Sequence, residues 1–138
     1  PFQDSLHGAL ILVVDDDVLV REAVEGIISQ WDCEVVSAST GEEALALVAS
    51  LPRAPDAILC DYRLPRDEIG IAVVQRLRAQ LGVEIPAALI TGDTAPERLR
   101  EAKDNGFMLL HKPLQPARLR MLLEHLLTSP ATKNQHGP

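Results

Sequence analysis

Cysteine is scarce in this chain of 138 residues: Cys33 and Cys60 are the two it has. Two cysteines cannot build the disulfide framework of a small secreted scaffold. Both sit in apolar, strand-like runs, where a buried thiol behaves as a small hydrophobe. Basic charge is short as well, with 13 Lys and Arg against 20 Asp and Glu and a formal net charge of -7. A nucleic-acid surface needs clustered cations to meet phosphates, so none is expected. The pairs Arg76 with Arg78 and Arg118 with Arg120 fall in helical patterns beside acidic neighbours and read as solvated faces. No apolar stretch reaches the ~18 residues of a membrane span. The first residues, Pro1-Phe2-Gln3-Asp4-Ser5, lack the basic start and apolar centre of a signal peptide. A cytoplasmic location without membrane contact is therefore the default. There is no internal repeat beyond the alternation described next.

What is present is a fivefold alternation of short apolar runs with longer amphipathic stretches. The runs cover residues 9–14, 33–37, 56–60, 87–90 and 107–110. Each is mostly aliphatic at consecutive positions, the pattern of a parallel strand covered on both faces. The first amphipathic stretch repeats Leu19, Ala23, Val24, Ile27, Ile28 and Trp31 at three- and four-residue spacing. The second opens on Thr40-Gly41-Glu42-Glu43, a capping box, and runs through Leu45 and Val48. The third covers about 71–80 and stops near Gly82. The fourth opens on a second capping box, Thr94 with Glu97, has Pro96 in its first turn, and ends at Asn105-Gly106. The fifth covers about 116–127, with Leu119, Leu122, Leu123 and Leu126 on one stripe. Strict alternation predicts an α/β doubly wound sheet over residues 9–127. Residues 1–8 read as a leader or linker, and 128–138 as a polar, disordered tail.

In open α/β sheets ligands bind beyond the carboxyl ends of the strands. The first strand ends in Asp15-Asp16-Asp17, the third in Asp61 and the fourth in Thr91. The fifth runs through His111 into Lys112-Pro113. Each has a bland reading when taken alone: Asp17 as a helix N-cap, Thr91 as a turn residue, Lys112 as a solvated ammonium. Asp15, Asp16 and Asp61 resist it together, because two like charges ~4 Å apart at an effective dielectric near 20 repel by about 4 kcal/mol. Such a rim needs a proton or a cation, and an all-oxygen donor set suits magnesium. An ionised carboxylate is also a nucleophile that needs no base. Repulsion from an anionic phosphoryl group is its obstacle, and a cation, Lys112 and the Thr91 hydroxyl would lower it. The product would be an aspartyl phosphate.

The strings ILVVDDD at 11–17, ILCDYRLP at 58–65, ALITGD at 88–93 and HKP at 111–113, in this order, resemble the response-regulator receiver family over about 9–127. That resemblance implies a flavodoxin-like (βα)5 three-layer sandwich with a parallel five-stranded sheet in the order 2-1-3-4-5. It implies Asp61 as phosphoacceptor and a Mg2+ site (Mn2+ able to substitute) built by Asp15, Asp16, Asp61 and the main-chain carbonyl of Arg63. Thr91 and Lys112 would contact the phosphoryl group, and the bond before Pro113 would be cis. The donor would be a phosphohistidine on a histidine kinase or histidine phosphotransfer domain, with slow autodephosphorylation rather than enzymatic turnover. Output would pass through the fourth helix, fifth strand and fifth helix, including Arg98, Lys103, Leu109 and Arg118, a face that would also serve a homodimer.

Three features depart from the family pattern. Leu109 stands at a switch position that is usually aromatic, which unsettles its coupling to Thr91. Gly70 comes one residue later after Asp61 than is common. With only about eleven residues after the fifth stretch, no output domain is expected to follow. The strings are most like those of receiver modules at the C-terminus of bacterial hybrid sensor histidine kinases, whose parent chain would be an enzyme; a stand-alone single-domain regulator is the alternative. Two further readings differ in class. A phosphohydrolase of the haloacid dehalogenase kind needs Asp-x-Asp-x-Thr/Val, and Asp15-x-Asp17-x-Leu19 ends in leucine. A pseudo-receiver would lack an acidic residue or the lysine, and all are present here.

Overall fold

The structure is a computed structural model that describes residues 6–92 and 95–128. Five strands form one parallel sheet: β1 Leu10–Val14, β2 Glu34–Ala38, β3 Ala57–Asp61, β6 Ala87–Thr91 and β7 Met108–His111. Between the third and fourth of these lies a two-stranded antiparallel hairpin, β4 Arg63–Leu64 with β5 Glu68–Ile69. The helices are α1 Val18–Ser29, α2 Gly41–Ser50, α3 Gly70–Leu81, α4 Pro96–Asp104 and α5 Pro116–Thr128. The sheet order is β2-β1-β3-β6-β7. With the hairpin set aside, this is the flavodoxin-like order 2-1-3-4-5.

Alternation along the strands sorts the core into two layers. Leu12, Val14, Ile58, Cys60 and Leu89 face α2, α3 and α4, where they meet Ala44, Val48, Val74, Leu77 and Ala102. Ile11, Val13, Leu59, Ala88 and Ile90 face α1 and α5, packing on Val24, Ile28, Leu119, Leu122 and Leu123. β1, β3 and β6 are buried along their whole length, as their unbroken apolar runs predict. The edge strands β2 and β7 are partly exposed, and each starts one residue later than the sequence suggests. Among the described residues no helix is long and apolar enough to cross a membrane.

Local chemistry sets the helix ends. The Asp17 side chain accepts from Leu19 N–H and caps α1. That cap turns Leu19 to solvent, 70% exposed, so Leu19 does not join the apolar stripe; Val20 packs there instead. At α2 the Thr40 hydroxyl accepts from Glu43 N–H at 3.0 Å, and Glu43 reaches back to Ser39 N–H and Oγ. This is the expected capping box displaced by one residue on its return arm. Helix α4 begins instead at Pro96 with Ala95 at the N-cap and no side-chain cap. Thr94, predicted to cap it, lies outside the described residues. Gly82 closes α3 with φ 68°, the left-handed cap for which glycine is suited.

Leu6 is fully buried against the α1/α5 layer, so residues 6–8 pack with the domain rather than ahead of it. The Leu6 carbonyl accepts from Ala9 N–H and from the Cys33 thiol. The remaining leader residues, 1–5, and the tail from 129 onward lie outside the described residues. Both cysteines are free and buried. Of the basic pairs, Arg78 departs from a solvated face. Its Nε donates to Ile85 O at 2.9 Å, its guanidinium lies 5.3 Å from the Phe107 ring centroid, and burial lowers its pKa. Arg120 likewise stacks on Trp31 at 5.2 Å.

Candidate phosphoacceptor and metal site

Parallel register brings the rim residues level with one another. Val14 pairs with Cys60, so Asp15 and Asp61, the next residue on each chain, stand side by side. Asp61 pairs with Ile90, placing Thr91 one step beyond it; Thr91 pairs with His111, placing Lys112 one step further. Asp15 is fully buried, while Asp61 and Thr91 are 8% and 4% exposed. Asp16 turns to solvent. One carboxylate oxygen from each of Asp15, Asp16 and Asp61 lies within 4.8 Å of the others. Lys112 Nζ sits 3.4 Å from Asp61 Oδ2 and 3.5 Å from Asp15 Oδ2. The Lys112–Pro113 peptide is cis.

The electrostatics are unbalanced. Asp15 Oδ1 accepts from Asp17 N–H at 2.9 Å, yet the buried Asp15 Oδ2 has no hydrogen bond. A buried carboxylate oxygen without a hydrogen bond is costly unless charge compensates it, and here the Lys112 ammonium at 3.5 Å supplies that charge. Burial, reinforced by Asp15, pushes the Asp61 carboxyl up to about 6, although Lys112 and the Arg63 N–H pull the other way. Burial alone would lower Lys112, but Asp15 and Asp61 more than offset it and raise its pKa. Burial and the same two carboxylates also push the Cys60 thiol far up, which keeps it protonated and inert. Three converging carboxylates share a single ammonium, which lies 3.5 Å from the buried Asp15 Oδ2, and this excess of negative charge leaves room for a divalent cation. The residues fit a hard ion such as Mg2+.

The backbone beyond Asp61 is held tightly. Gly70 N–H donates to Tyr62 O at 2.8 Å, and Tyr62 N–H donates to Ile90 O at 2.8 Å. Arg63 pairs with Ile69 between hydrogen-bonded positions of the hairpin, and its N–H turns to Asp61 Oδ1 at 3.4 Å. A Cβ on Gly70 would collide with the Asp61 carbonyl oxygen, so only glycine fits there. Leu109, at the usual aromatic position, is half-buried against the α2/α3/α4 layer.

Sequence reasoning overlooked two supports. Arg21 Nη1 donates to the Asp15 carbonyl at 2.7 Å. Arg21 stands one turn into the helix that Asp17 caps, and that spacing was the available signal. Glu68 ties the hairpin to the next layer: Oε1 accepts from Gly41 N–H at 3.1 Å, and Oε2 lies 3.4 Å from Arg76 Nη1. Nothing local in the sequence announces that contact.

A fold of this order with a carboxylate and lysine rim defines a receiver-type domain, and comparison with known proteins agrees. The model of the response regulator receiver domain family matches residues 11–124. The chain is 36% identical over 118 residues to the transcriptional regulatory protein ZraR of Salmonella typhimurium, covering 85% of this chain and 26% of that one. It is 37% identical over 118 residues to the response regulator MprA of Mycolicibacterium vanbaalenii, covering 82% and 49%. The chemotaxis protein CheY4 of Vibrio cholerae superposes with a TM-score of 0.75 at 30% identity, covering 86% of this chain and 98% of that one. The chain belongs to the response regulator receiver family. It spans between a quarter and a half of the length of those two curated relatives.

Proposed function

We propose that this domain accepts a phosphoryl group on Asp61 from a phosphohistidine of a histidine kinase or histidine phosphotransfer domain. An Asp61 carboxylate oxygen attacks phosphorus, the bond from phosphorus to the imidazole nitrogen breaks, and the released imidazole takes up a proton. An acyl phosphate forms. Asp15, Asp16 and Asp61, with the Arg63 carbonyl, would hold Mg2+ or Mn2+, which when bound supplies charge neutralisation to the anionic phosphoryl oxygens. Lys112 adds a fixed positive charge, and Thr91 would donate its hydroxyl to a phosphoryl oxygen. Water later cleaves the acyl phosphate slowly, so the domain is an acceptor rather than a turnover enzyme. The observation that carries this reading is the convergence of three carboxylates with Lys112 Nζ 3.4 Å from Asp61.

The test is incubation with labelled acetyl phosphate and MgCl2. Acid-stable, base-labile label is expected in the wild-type chain and absent in Asp61→Asn; label that survives the substitution removes Asp61 from its role. The phosphohydrolase reading is less favoured, because Leu19 occupies its Thr/Val position and points to solvent.

For the parent context, the relatives described above are named as regulators, which favours a response-regulator setting over a hybrid-kinase module. Either setting is a cytoplasmic one in this reading. The face of α4, β7 and α5 is the proposed docking and dimer surface. It carries a groove of about 610 Å³ lined by Met108, Leu109, His111, Arg118, Met121 and His125. The exposure of Met121, at 69%, supports a partner there.

A further inference from the structure

The chain from Asp15 to Asp17 lies past the end of β1, where the ladder of the sheet runs out. Asp15 N–H donates to Ala38 O at 3.0 Å, and the next rung of a parallel ladder would bring the Thr40 N–H to the Asp15 carbonyl. β2 ends at Ala38, however, and Thr40 caps α2. A side chain meets the carbonyl: Arg21 Nη1 donates to it at 2.7 Å from one turn into α1. The Ser39 N–H and hydroxyl hold the Glu43 carboxyl below its ordinary value, and the nearby Arg21 charge adds to that. The half-buried guanidinium thus stands between the end of β1 and the cap of α2.

The flanks of this arc are fixed by their own bonds. Asp17 N–H donates to Asp15 Oδ1, and the Asp17 side chain accepts from Leu19 N–H. Asp16, between them, is exposed, so packing does not hold its side chain. One of its carboxylate oxygens nevertheless lies within 4.8 Å of those of Asp15 and Asp61. Its direction is set by its backbone, and the peptide plane before it carries the carbonyl that Arg21 grips.

We propose that Arg21 is a positioning residue for the cation site, which by holding the Asp15 carbonyl keeps the Asp16 carboxylate turned to the rim. This rests on the metal reading above. A charge-assisted bond, about twice as strong as a neutral one, suits that task. Arg21 has two opposed effects on a bound cation. Its charge repels the ion, whereas its grip spares the cost of ordering Asp16 on binding. The sign of the change on removing it tells the two apart.

The test is titration of the full chain with Mn2+, followed by loss of the free ion's electron paramagnetic resonance signal. Arg21→Met keeps the aliphatic stem, and Arg21→Gln keeps a polar tip too short to reach the carbonyl. Both should weaken Mn2+ binding about tenfold, the scale on which groups that orient a metal's ligands act. Arg21→Lys, which keeps a charged donor, should recover part of the loss. Asp16→Ala leaves Asp15 and Asp61 as ligands but removes the group through which Arg21 acts. In that background Arg21→Met should bind Mn2+ within about twofold of its parent. A merely structural role would carry the full loss into it. Thermal unfolding in EDTA checks each fold, and Arg21→Gln carries the test if Arg21→Met does not fold. Wild-type or tighter binding in the folded Arg21 variants, or an undiminished loss beside Asp16→Ala, would overturn the role of Arg21 alone. A wild-type chain that binds no Mn2+ at millimolar concentration would overturn the metal reading and this role with it.

Discussion

Removing divalent cations should make this domain less stable at neutral than at mildly acid pH, and Asp61 should be the cause. Its carboxyl is pushed from the ordinary 3.8 to about 6 by burial and by Asp15. A folded-state pKa above the unfolded one means that the folded chain holds the proton longer. The stability from that proton is complete below about pH 4 and is lost as pH rises through about 6. The gap of about two units is worth at most ~3 kcal/mol. Solvent at the open rim screens part of it, leaving ~1–2 kcal/mol. For a domain of this size that is a shift of several degrees, at about 3–6 °C per kcal/mol. The assay is thermal unfolding from pH 4 to 7.5 in EDTA, for the wild type and Asp61→Asn. Other groups titrate in both proteins, so the difference between their curves isolates Asp61. Asp61→Asn should gain on the wild type as pH rises and be the more stable at pH 7. MgCl2 at about ten times its Kd should return ~1.4 kcal/mol to the wild type. A difference curve that is flat from pH 4 to 7, or a wild-type midpoint indifferent to magnesium, would refute the electrostatic argument.

Two further perturbations probe the same rim. Gly70→Ala places a methyl against the Asp61 carbonyl oxygen and should destabilise by ~2 kcal/mol or more, read as a lower denaturation midpoint at unchanged m. It should also slow phosphate incorporation, because the peptide after the acceptor must move. Lys112→Met keeps the aliphatic stem but removes the charge shared by Asp15 and Asp61. Incorporation from acetyl phosphate should fall by ~10²-fold, the usual consequence of deleting one preorganised electrostatic donor, and a rate within a factor of about three of wild type would contradict its role.

The sheet was legible because its three central strands are apolar at every position before the rim residues Asp61 and Thr91, which a strand covered on one face cannot be. Strand ends moved by one residue in central and edge strands alike, because the run of apolar residues and the run of ladder hydrogen bonds need not start or stop at the same residue. Leu19 was misplaced for a related reason: apolar character counted, while the cap at Asp17, which decides the face that Leu19 presents, was weighed separately. The rim could be read because parallel register turns strand-end position directly into spatial proximity. Arg21 and Arg78 could not be read that way. Each acts on a backbone carbonyl or a ring whose position depends on packing between layers, and no period in the sequence encodes it.

The loop after Asp61 shows where a departure could be seen but its outcome could not. Gly70 cannot drift from the acceptor, because its backbone presses on the Asp61 carbonyl and its N–H is taken by Tyr62 O. The chain between Asp61 and Gly70 must therefore fit within a fixed span. The chain does so with a turn at Arg66 and Asp67, whose φ values are 64° and 59°. Two successive left-handed residues make the tight, primed kind of turn that twists with a hairpin. That turn ordinarily asks for Asn or Gly, so Pro65-Arg66-Asp67-Glu68 carries no local signal for it, and its strain must be offset elsewhere. Glu68 supplies the offset, since its carboxylate caps the start of α2 and pairs with Arg76. Arg63 stays beside Asp61, with its N–H 3.4 Å from the Asp61 carboxylate. The left-handed turn thus lies at the loop's outer end, away from the end that meets Asp61.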